Sequence, residues 1–128
     1  MALAYSTTVR NAMLDSITTA IGTSGFLRIY DGTRPASGGT ATTLLAQLPL
    51  SATAAASSSG VLTFNTITTA NAGASSTATW FRVTTSAGTF VIDGNVGTSG
   101  SDLNFTTTTI VNTQPVSVTS FAITEGNP

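Results

Sequence analysis

Threonine is the feature that most restricts how this chain can fold, because it fills 27 of the 128 positions. Its branched Cβ is disfavoured in helix interiors and packs well on a half-buried pleated surface. The accompanying 15 serines and 12 glycines favour turns. From residue 26 onward, apolar residues alternate with threonine in short runs that glycine, proline and asparagine interrupt. This pattern predicts a mainly β protein.

The chain carries very little charge, with four arginines, five acidic residues and a formal net charge of −1. A hydrophobic fraction of 41% combined with so little charge argues against intrinsic disorder. No basic patch is available to neutralise phosphates, so we expect no nucleic-acid binding. Because charged side chains normally keep monomers apart, this surface favours assembly with other subunits. A hydroxyl-coated monomer is the alternative interpretation.

The sequence contains no cysteine, histidine or lysine. Disulfides and thiolate metal sites are therefore excluded, and the usual bases and nucleophiles of hydrolytic enzymes are missing. Asp31 and Asp93 each precede a glycine and Asp102 lies in a Gly/Ser stretch, so turns explain these carboxylates. Residues 100–103 resemble one calcium-binding Gly-rich repeat, whereas such repeats bind calcium by stacking several copies. We expect a protein that is not an enzyme and has no cofactor or metal.

The length fits one domain over residues 1–128. We expect residues 1–25 to hold a helix and a linker, and residues 26–128 to form an antiparallel β-sandwich or barrel-like fold of about seven strands. The N-terminal residues lack the basic start and apolar stretch of a signal peptide, and no run is long enough to cross a bilayer. We therefore expect no membrane association.

Residues 6–22 are the one segment that predicts an amphipathic helix. Ser6 is a favourable N-cap, and Gly22 and Gly25 suit the C-terminal end. Large apolar residues recur every four positions and predict a stripe along one side. The stripe consists of Val9, Met13, Ile17 and Ile21, and the other side carries Arg10, Asn11, Asp15 and Thr18. The stripe packs either on the chain's own strands, which we favour because exposure would be a liability, or on a neighbouring subunit.

Period-two patterns predict the strands. They fall at residues 26–30, 42–48, 61–67, 103–111 and 116–124, with a hairpin spanning residues 78–95. Residues 51–60 and 68–77, rich in small and polar side chains, are expected to be exposed connections. A long turn-rich loop follows the first strand.

The hairpin has a register that its own pattern restricts. Each strand carries two apolar residues on one face, Phe81 with Val83 and Phe90 with Ile92. These faces coincide only if the paired residue numbers sum to an odd value. We favour a four-residue loop with Gly88 in the left-handed region, because the alanine before it resists the positive φ of a tighter turn.

Two arginines, Arg28 and Arg82, interrupt apolar strands. Each either reaches solvent or pairs with an acid, and Asp93 and Asp31 are the nearest candidates. An intersubunit contact is the functional alternative, since arginine suits interfaces. Trp80 is interpreted as a core or interface residue. The candidate interface residues are Val9, Met13, Ile17, Ile21, Arg28, Arg34, Trp80 and Arg82.

Several segments read together resemble a known group of proteins. They are residues 27–35 (LRIYDGTRP), 43–46 (TLLA), 78–82 (ATWFR) and 93–104 (DGNVGTSGSDLN). The chain resembles, over nearly its whole length, small proteins encoded among the virion structural genes of tailed bacteriophages and prophages. The resemblance implies a virion component that assembles in the host bacterium and leaves it by lysis, with no catalytic residues to carry over.

Within a virion we expect a capsid decoration or cement protein that binds the major capsid protein and forms a homo-oligomer. A tail or head-tail connector component is the main alternative, because such proteins also assemble in rings. A second alternative is a host-recognition module that binds glycans. Its only evident stacking platforms are Trp80, Tyr30 and Tyr5.

Overall fold

The computed structural model describes residues 3–125 and places one N-terminal helix before a strand-rich body. The predicted mainly β fold with an N-terminal helix is confirmed. Among the described strands, seven have three or more residues and five have two. The elements are α1 (Thr7–Ile21), β1 (Phe26–Tyr30), β2 (Leu44–Pro49), β3 (Ala55–Ser58), β4 (Val61–Phe64), β5 (Ala70–Asn71), β6 (Ser76–Thr77), β7 (Trp80–Thr84), β8 (Phe90–Gly97), β9 (Leu103–Asn104), β10 (Thr109–Ile110), β11 (Pro115–Val116) and β12 (Ala122–Thr124).

The larger sheet has five strands in the order β2-β1-β7-β8-β9. Strand β1 of this sheet has the predicted bounds, and its alternating pattern buries Leu27 and Ile29 in the core. The first four strands are antiparallel neighbours, but β8 and β9 run parallel. This departs from a wholly antiparallel fold. The Asp102 carboxylate accepts the Asn95 amide at 2.8 Å and thereby holds the short connecting loop against β8.

The hairpin of β7 and β8 has the predicted odd register over most of its length, as in the pair Val83 with Ile92. Its loop is shorter than predicted. The Thr85 amide donates to the Thr89 carbonyl at 3.0 Å, which leaves three residues between them, with Gly88 at φ +87°. A bulge beside the loop absorbs one residue of β8 and restores the odd register. Because of this bulge Phe90 pairs with Thr84 and its ring lies near Arg82, so the prediction that Phe90 shares the core face with Ile92 was wrong. The four-residue loop was wrong because alternation does not reveal a bulge.

A second sheet, which we name the smaller sheet, has three strands in the order β12-β4-β3, and two further sheets have two strands each. Strand β3 lies within residues 51–60, which the sequence predicted as an exposed connection. That prediction was wrong because Ala54 and Ala55 are buried and α1 contacts β3. Small apolar residues here allow the helix to approach closely, and their serine neighbours hide the pattern.

The two long C-terminal strands that the sequence predicted are each divided in two. Strand β9 pairs with β8, whereas β10 pairs with β6. Likewise β11 pairs with β5 and β12 pairs with β4. The divisions arise because the chain leaves one sheet and joins another within each predicted strand. Strands β5 and β6 therefore lie inside the predicted connection 68–77.

One buried cluster contains side chains from α1, from the larger sheet and from the smaller sheet. Phe121 stacks on Phe64 with ring centroids 4.5 Å apart, and it meets Phe81 edge-on at 5.1 Å. Phe64 belongs to the smaller sheet and Phe81 to the larger one. The three rings therefore join the sheets, each pair adding about 0.5–1.5 kcal/mol beyond area burial.

The helix has the predicted ends but not the predicted rotation. Ser6 Oγ accepts the Val9 amide at 3.2 Å, and Gly22 follows the last turn with φ +78°. Residues spaced by four shift about 40° around a helix at each step. The predicted stripe therefore drifts from a buried end at Ile21 to an exposed end at Val9, and the buried residues of α1 are Leu14 and Ile21.

The side of α1 that was expected to face solvent is partly docked. Arg10 Nη2 donates to the Glu125 carbonyl at 2.7 Å, and Asn11 Oδ1 accepts the Gly60 amide at 2.9 Å. Both backbone groups lie where strands end and lack ladder partners, so polar helix side chains satisfy them. These contacts fix α1 across the ends of β4 and β12.

Candidate functional site

The start of α1 and the segment before it expose an apolar surface, which we name the helix face. It consists of Leu3, Tyr5, Val9 and Met13, which are 55%, 40%, 44% and 37% exposed. Exposed small residues continue this side of the helix: Ala12, Ser16 and Ala20. The helix face carries no charge. Exposed apolar patches mark interaction sites, whereas single exposed apolar residues are normal on any protein surface.

The predicted stripe is divided between core and surface. Ile21 is 1% exposed, and Ile17 is half-buried against the core cluster. Val9 and Met13 remain accessible to a partner, whereas Ile21 is not. Sequence reasoning missed Leu14, although its spacing of three residues from Ile17 and seven from Ile21 is the helical core pattern.

Arg82 is 8% exposed on the side of the larger sheet opposite the core. Its Nε donates to Asp93 Oδ1 at 2.6 Å and its Nη2 to Oδ2 at 2.9 Å, so the predicted pairing exists but is buried rather than solvated. The guanidinium lies 5.2 Å from the Trp80 ring centroid and 5.3 Å from that of Phe90. The hydrogen bonds with Asp93 raise the pKa of Arg82 although burial opposes the shift. The pair links β7 to β8 on this side of the sheet.

Trp80 is fully buried and stacks on Tyr30 with ring centroids 4.3 Å apart and planes inclined by 14°. Its indole Nε1–H donates to the Asp31 carbonyl at 2.9 Å and to Thr42 Oγ1 at 3.0 Å. Tyr30 is also buried. Neither ring is therefore available to stack on a sugar in this conformation.

The loop between β1 and β2 covers these aromatic rings, and we name residues 31–43 the strap. The Asp31 amide donates to the Thr43 carbonyl at 3.3 Å, and Asp31 Oδ1 accepts the Thr43 amide at 3.1 Å. These bonds close the base of the strap. Nothing in the turn-rich sequence revealed that this loop folds back over the sheet, because the groups that hold it are distant in sequence.

The remaining arginines keep contact with solvent. Arg28 Nε donates to Gln47 Oε1 at 2.7 Å, and Arg34 Nη1 donates to the Asp93 carbonyl at 3.3 Å. Arg28 is half-buried and Arg34 is exposed. Arg28 and Arg34, like Val9 and Met13, are therefore predicted interface residues that a partner could reach. Ile21, Trp80 and Arg82 present almost no surface to a partner because the core and the strap cover them.

Residues 3–125 hold no cluster of three metal-ligating side chains. Two surface cavities have volumes of roughly 260 and 230 Å³, and their linings show which chemical groups a ligand would meet there. The first, within residues 105–117, is lined by threonine, glutamine, serine and apolar side chains, and the second includes Asp93 and Asp102 beside phenylalanine rings. Both carboxylates are already engaged by other groups of the chain.

Comparison with protein-family models, curated proteins and solved structures finds no match to this chain. Between residues 3 and 125, no helix combines the length and apolar character needed to span a membrane. Function must therefore be inferred from the chain's own surface.

Proposed function

We propose that this chain is a non-enzymatic structural protein of a phage particle that decorates the outer capsid shell and stabilises it. The proposal includes a sandwich-like arrangement of the two main sheets, attachment through the helix face, and assembly in many copies. One observation of the structure supports it, the uncharged and exposed apolar surface of α1. The choice of a phage particle rests on the resemblance to virion proteins expected from the sequence.

The helix face is the observation that carries this proposal. Val9 and Met13 are exposed, while Leu14 and Ile21 fix the opposite side of the same helix in the core. A helix held in this way presents its outer side without rearrangement, so little conformational entropy is lost on binding. Its lack of charge suits an apolar groove on a shell subunit.

The size of the helix face favours attachment in many copies. A standard interface buries about 800 Å² per partner. Four partly exposed side chains supply only part of that area, so one contact of this kind is weak. Many copies on a repeating shell, each also contacting its neighbours, convert weak contacts into stable coverage.

Stabilisation of the shell follows from mass action. A protein that binds the assembled shell and not its separated subunits shifts the equilibrium towards the shell. No chemistry is needed. An inert surface rich in hydroxyl groups is compatible with that role, because nothing beyond binding is required of it.

The same helix face also suits a tail or head-tail connector, where subunits form rings. Copy number separates a connector from the other placements, since a single ring holds few subunits whereas a shell or a tail tube repeats its subunits many times. The glycan-binding alternative has less support, because two of its three predicted stacking platforms, Trp80 and Tyr30, are buried.

Particles assembled without this chain, mixed with the purified protein, test the proposal. We expect the added protein to bind at shell copy number and to raise the temperature at which the genome is released. Val9→Asp should abolish binding because it places a charge in an apolar contact. Thr8→Asp is the matched control, since Thr8 is exposed in the same first turn and lies beside the helix face.

Both isolated variants should unfold at the temperature of the unmodified protein, because both positions are exposed. Unimpaired binding of Val9→Asp would contradict attachment through the helix face. Binding that leaves the release temperature unchanged would contradict the stabilising role. Both bound copies and release temperature are therefore measured on the same particles.

A further inference from the structure

Side chains of β7 and β8 lie beneath the strap and contact chiefly its main-chain atoms. Arg82 Nη2 donates to the Gly39 carbonyl at 2.9 Å, and the Gly38 amide donates to Asp93 Oδ2 at 3.2 Å. One ion pair therefore binds an amide and a carbonyl of consecutive residues. Residues 36–39 form a tight turn, in which the Gly39 amide donates to the Ala36 carbonyl at 2.7 Å. The ion pair therefore holds the backbone of this turn through charge-assisted hydrogen bonds rather than through particular side chains.

The fit at this point requires glycine. Gly38 has φ +73°, and a Cβ added there would lie 3.1 Å from Phe90 Cδ1. A side chain would thus be strained twice, by the backbone conformation and by the ring. Gly38-Gly39 is the only pair of consecutive glycines in the sequence. The chain therefore contains a single glycine pair that can be seated against Arg82, Phe90 and Asp93 in this way.

Two further bonds hold the base of the strap. The Trp80 indole donates to the Asp31 carbonyl at 2.9 Å, and Thr79 Oγ1 donates to the Gly32 carbonyl at 2.6 Å. Again the strap contributes main-chain oxygens. Opening the strap breaks all these bonds together and exposes Trp80, which is the only tryptophan in the chain.

The strap is separate from the core that holds the sheets together. None of residues 31–43 belongs to the buried apolar cluster, and most of them are exposed. Segments with few buried apolar contacts open locally at lower free energy than the whole fold. Its ends join neighbouring strands β1 and β2, so it can lift without unpairing them.

We propose that the groove formed by Trp80, Arg82, Phe90 and Asp93 is a binding slot for the backbone of a tight turn that contains two consecutive glycines. The strap occupies the slot within its own chain. The strap of a second copy is the segment that can replace it, because it presents the same main-chain amide and carbonyl. Exchange of an identical element between protomers is a known route to assembly.

Gly38→Ala tests whether the strap is a lid. We expect acrylamide quenching of Trp80 fluorescence to rise several-fold while the far-ultraviolet circular dichroism of the sheets is retained. Gly100→Ala is the matched control, because Gly100 has φ +69° with nothing within 4 Å of an added Cβ. It carries the same backbone strain elsewhere and should leave Trp80 protected. Unchanged quenching in Gly38→Ala, or loss of the sheets with the strap, would overturn the lid.

A synthetic peptide of residues 31–43 tests occupancy by a second copy. Added at millimolar concentration to the Gly38→Ala protein, it should restore the protection of Trp80. The same peptide with alanine in place of both Gly38 and Gly39 should not. Equal effects of the two peptides, or no effect of either, would show that the slot does not bind this segment in trans.

Hydrogen exchange of the unmodified protein provides a readout without any substitution. The Gly38 amide and the Trp80 indole N–H should exchange at one common rate, faster than the Val83 and Ile92 amides of the hairpin. Exchange of the Trp80 indole only at the rate of the hairpin amides would exclude separate opening of the strap.

Discussion

Replacing Leu14 by alanine tests how α1 is seated on the sheets, with Met13→Ala as the neighbouring comparison. Leu14 is 2% exposed and belongs to the core cluster, whereas Met13 is 37% exposed. Leucine, methionine and alanine all have high helix propensity, so the two substitutions perturb the helix itself to a similar extent. A large difference in stability between the two variants therefore measures how tightly each side chain is packed against the core.

Loss of a buried leucine costs the transfer free energy of its methyl groups and the free energy of the cavity left behind. We expect Leu14→Ala to lower the free energy of unfolding by about 3 kcal/mol. For a chain of this size that corresponds to a fall of about 10 °C in Tm. Met13→Ala should cost less than about 1 kcal/mol.

Urea denaturation followed by Trp80 fluorescence, together with thermal melting, measures both values. Equal losses for the two variants would refute the rotation of α1 described here. A larger loss for Met13→Ala would mean that the residues repeating every four positions do face the core, as the sequence pattern alone suggests.

Two further predictions concern the larger sheet. Asp93→Ala should destabilise the protein by about 3–5 kcal/mol because it leaves the buried Arg82 cation unpaired, and the double variant Arg82→Met/Asp93→Leu should lose less than Asp93→Ala alone. A double variant less stable than Asp93→Ala in urea would contradict this account of the pair. Gly94→Ala should cost about 1–3 kcal/mol, because an added Cβ would lie 2.4 Å from the Phe81 ring. Gly73→Ala is its control, because an added Cβ at Gly73 would have no atom within 4 Å. Equal urea midpoints for the two variants would show that the Phe81 ring can move aside at no cost in stability.

The sequence predicted local structure best where alternation and burial agree. Strand β1 has the expected bounds, and the odd register of the hairpin follows from apolar residues that must face one core. Misplacing either strand by one residue would turn Val83 or Ile92 to the wrong face. A bulge was invisible because it changes the count of residues without changing which ones are apolar.

Predictions failed where distant groups decide the outcome. The strap folds over the sheet because Arg82 and Asp93 bind its glycine backbone, and no pattern within residues 31–43 encodes that contact. The rotation of α1 was misjudged for a different reason. A repeat of four follows the helix only approximately, and the polar anchors Arg10 and Asn11 satisfy backbone groups at strand ends that the sequence does not identify.

The candidate interface was predictable only in part. Val9 and Met13 were identified as apolar helix residues, and they prove to be exposed. Trp80 and Arg82 were proposed because these residue types are frequent in interfaces, yet the same chemistry serves here to hold the strap. Residue type alone does not distinguish a contact with a partner from a contact with a distant loop.

Imaging of native particles that contain this chain tests the proposed function most directly. We expect density for the domain at regular positions over the whole outer shell, with the exposed side of α1 against a shell subunit. Density confined to the tail or to the head-tail junction would contradict the capsid placement. Density on the shell with the helix face turned to solvent would contradict the attachment surface.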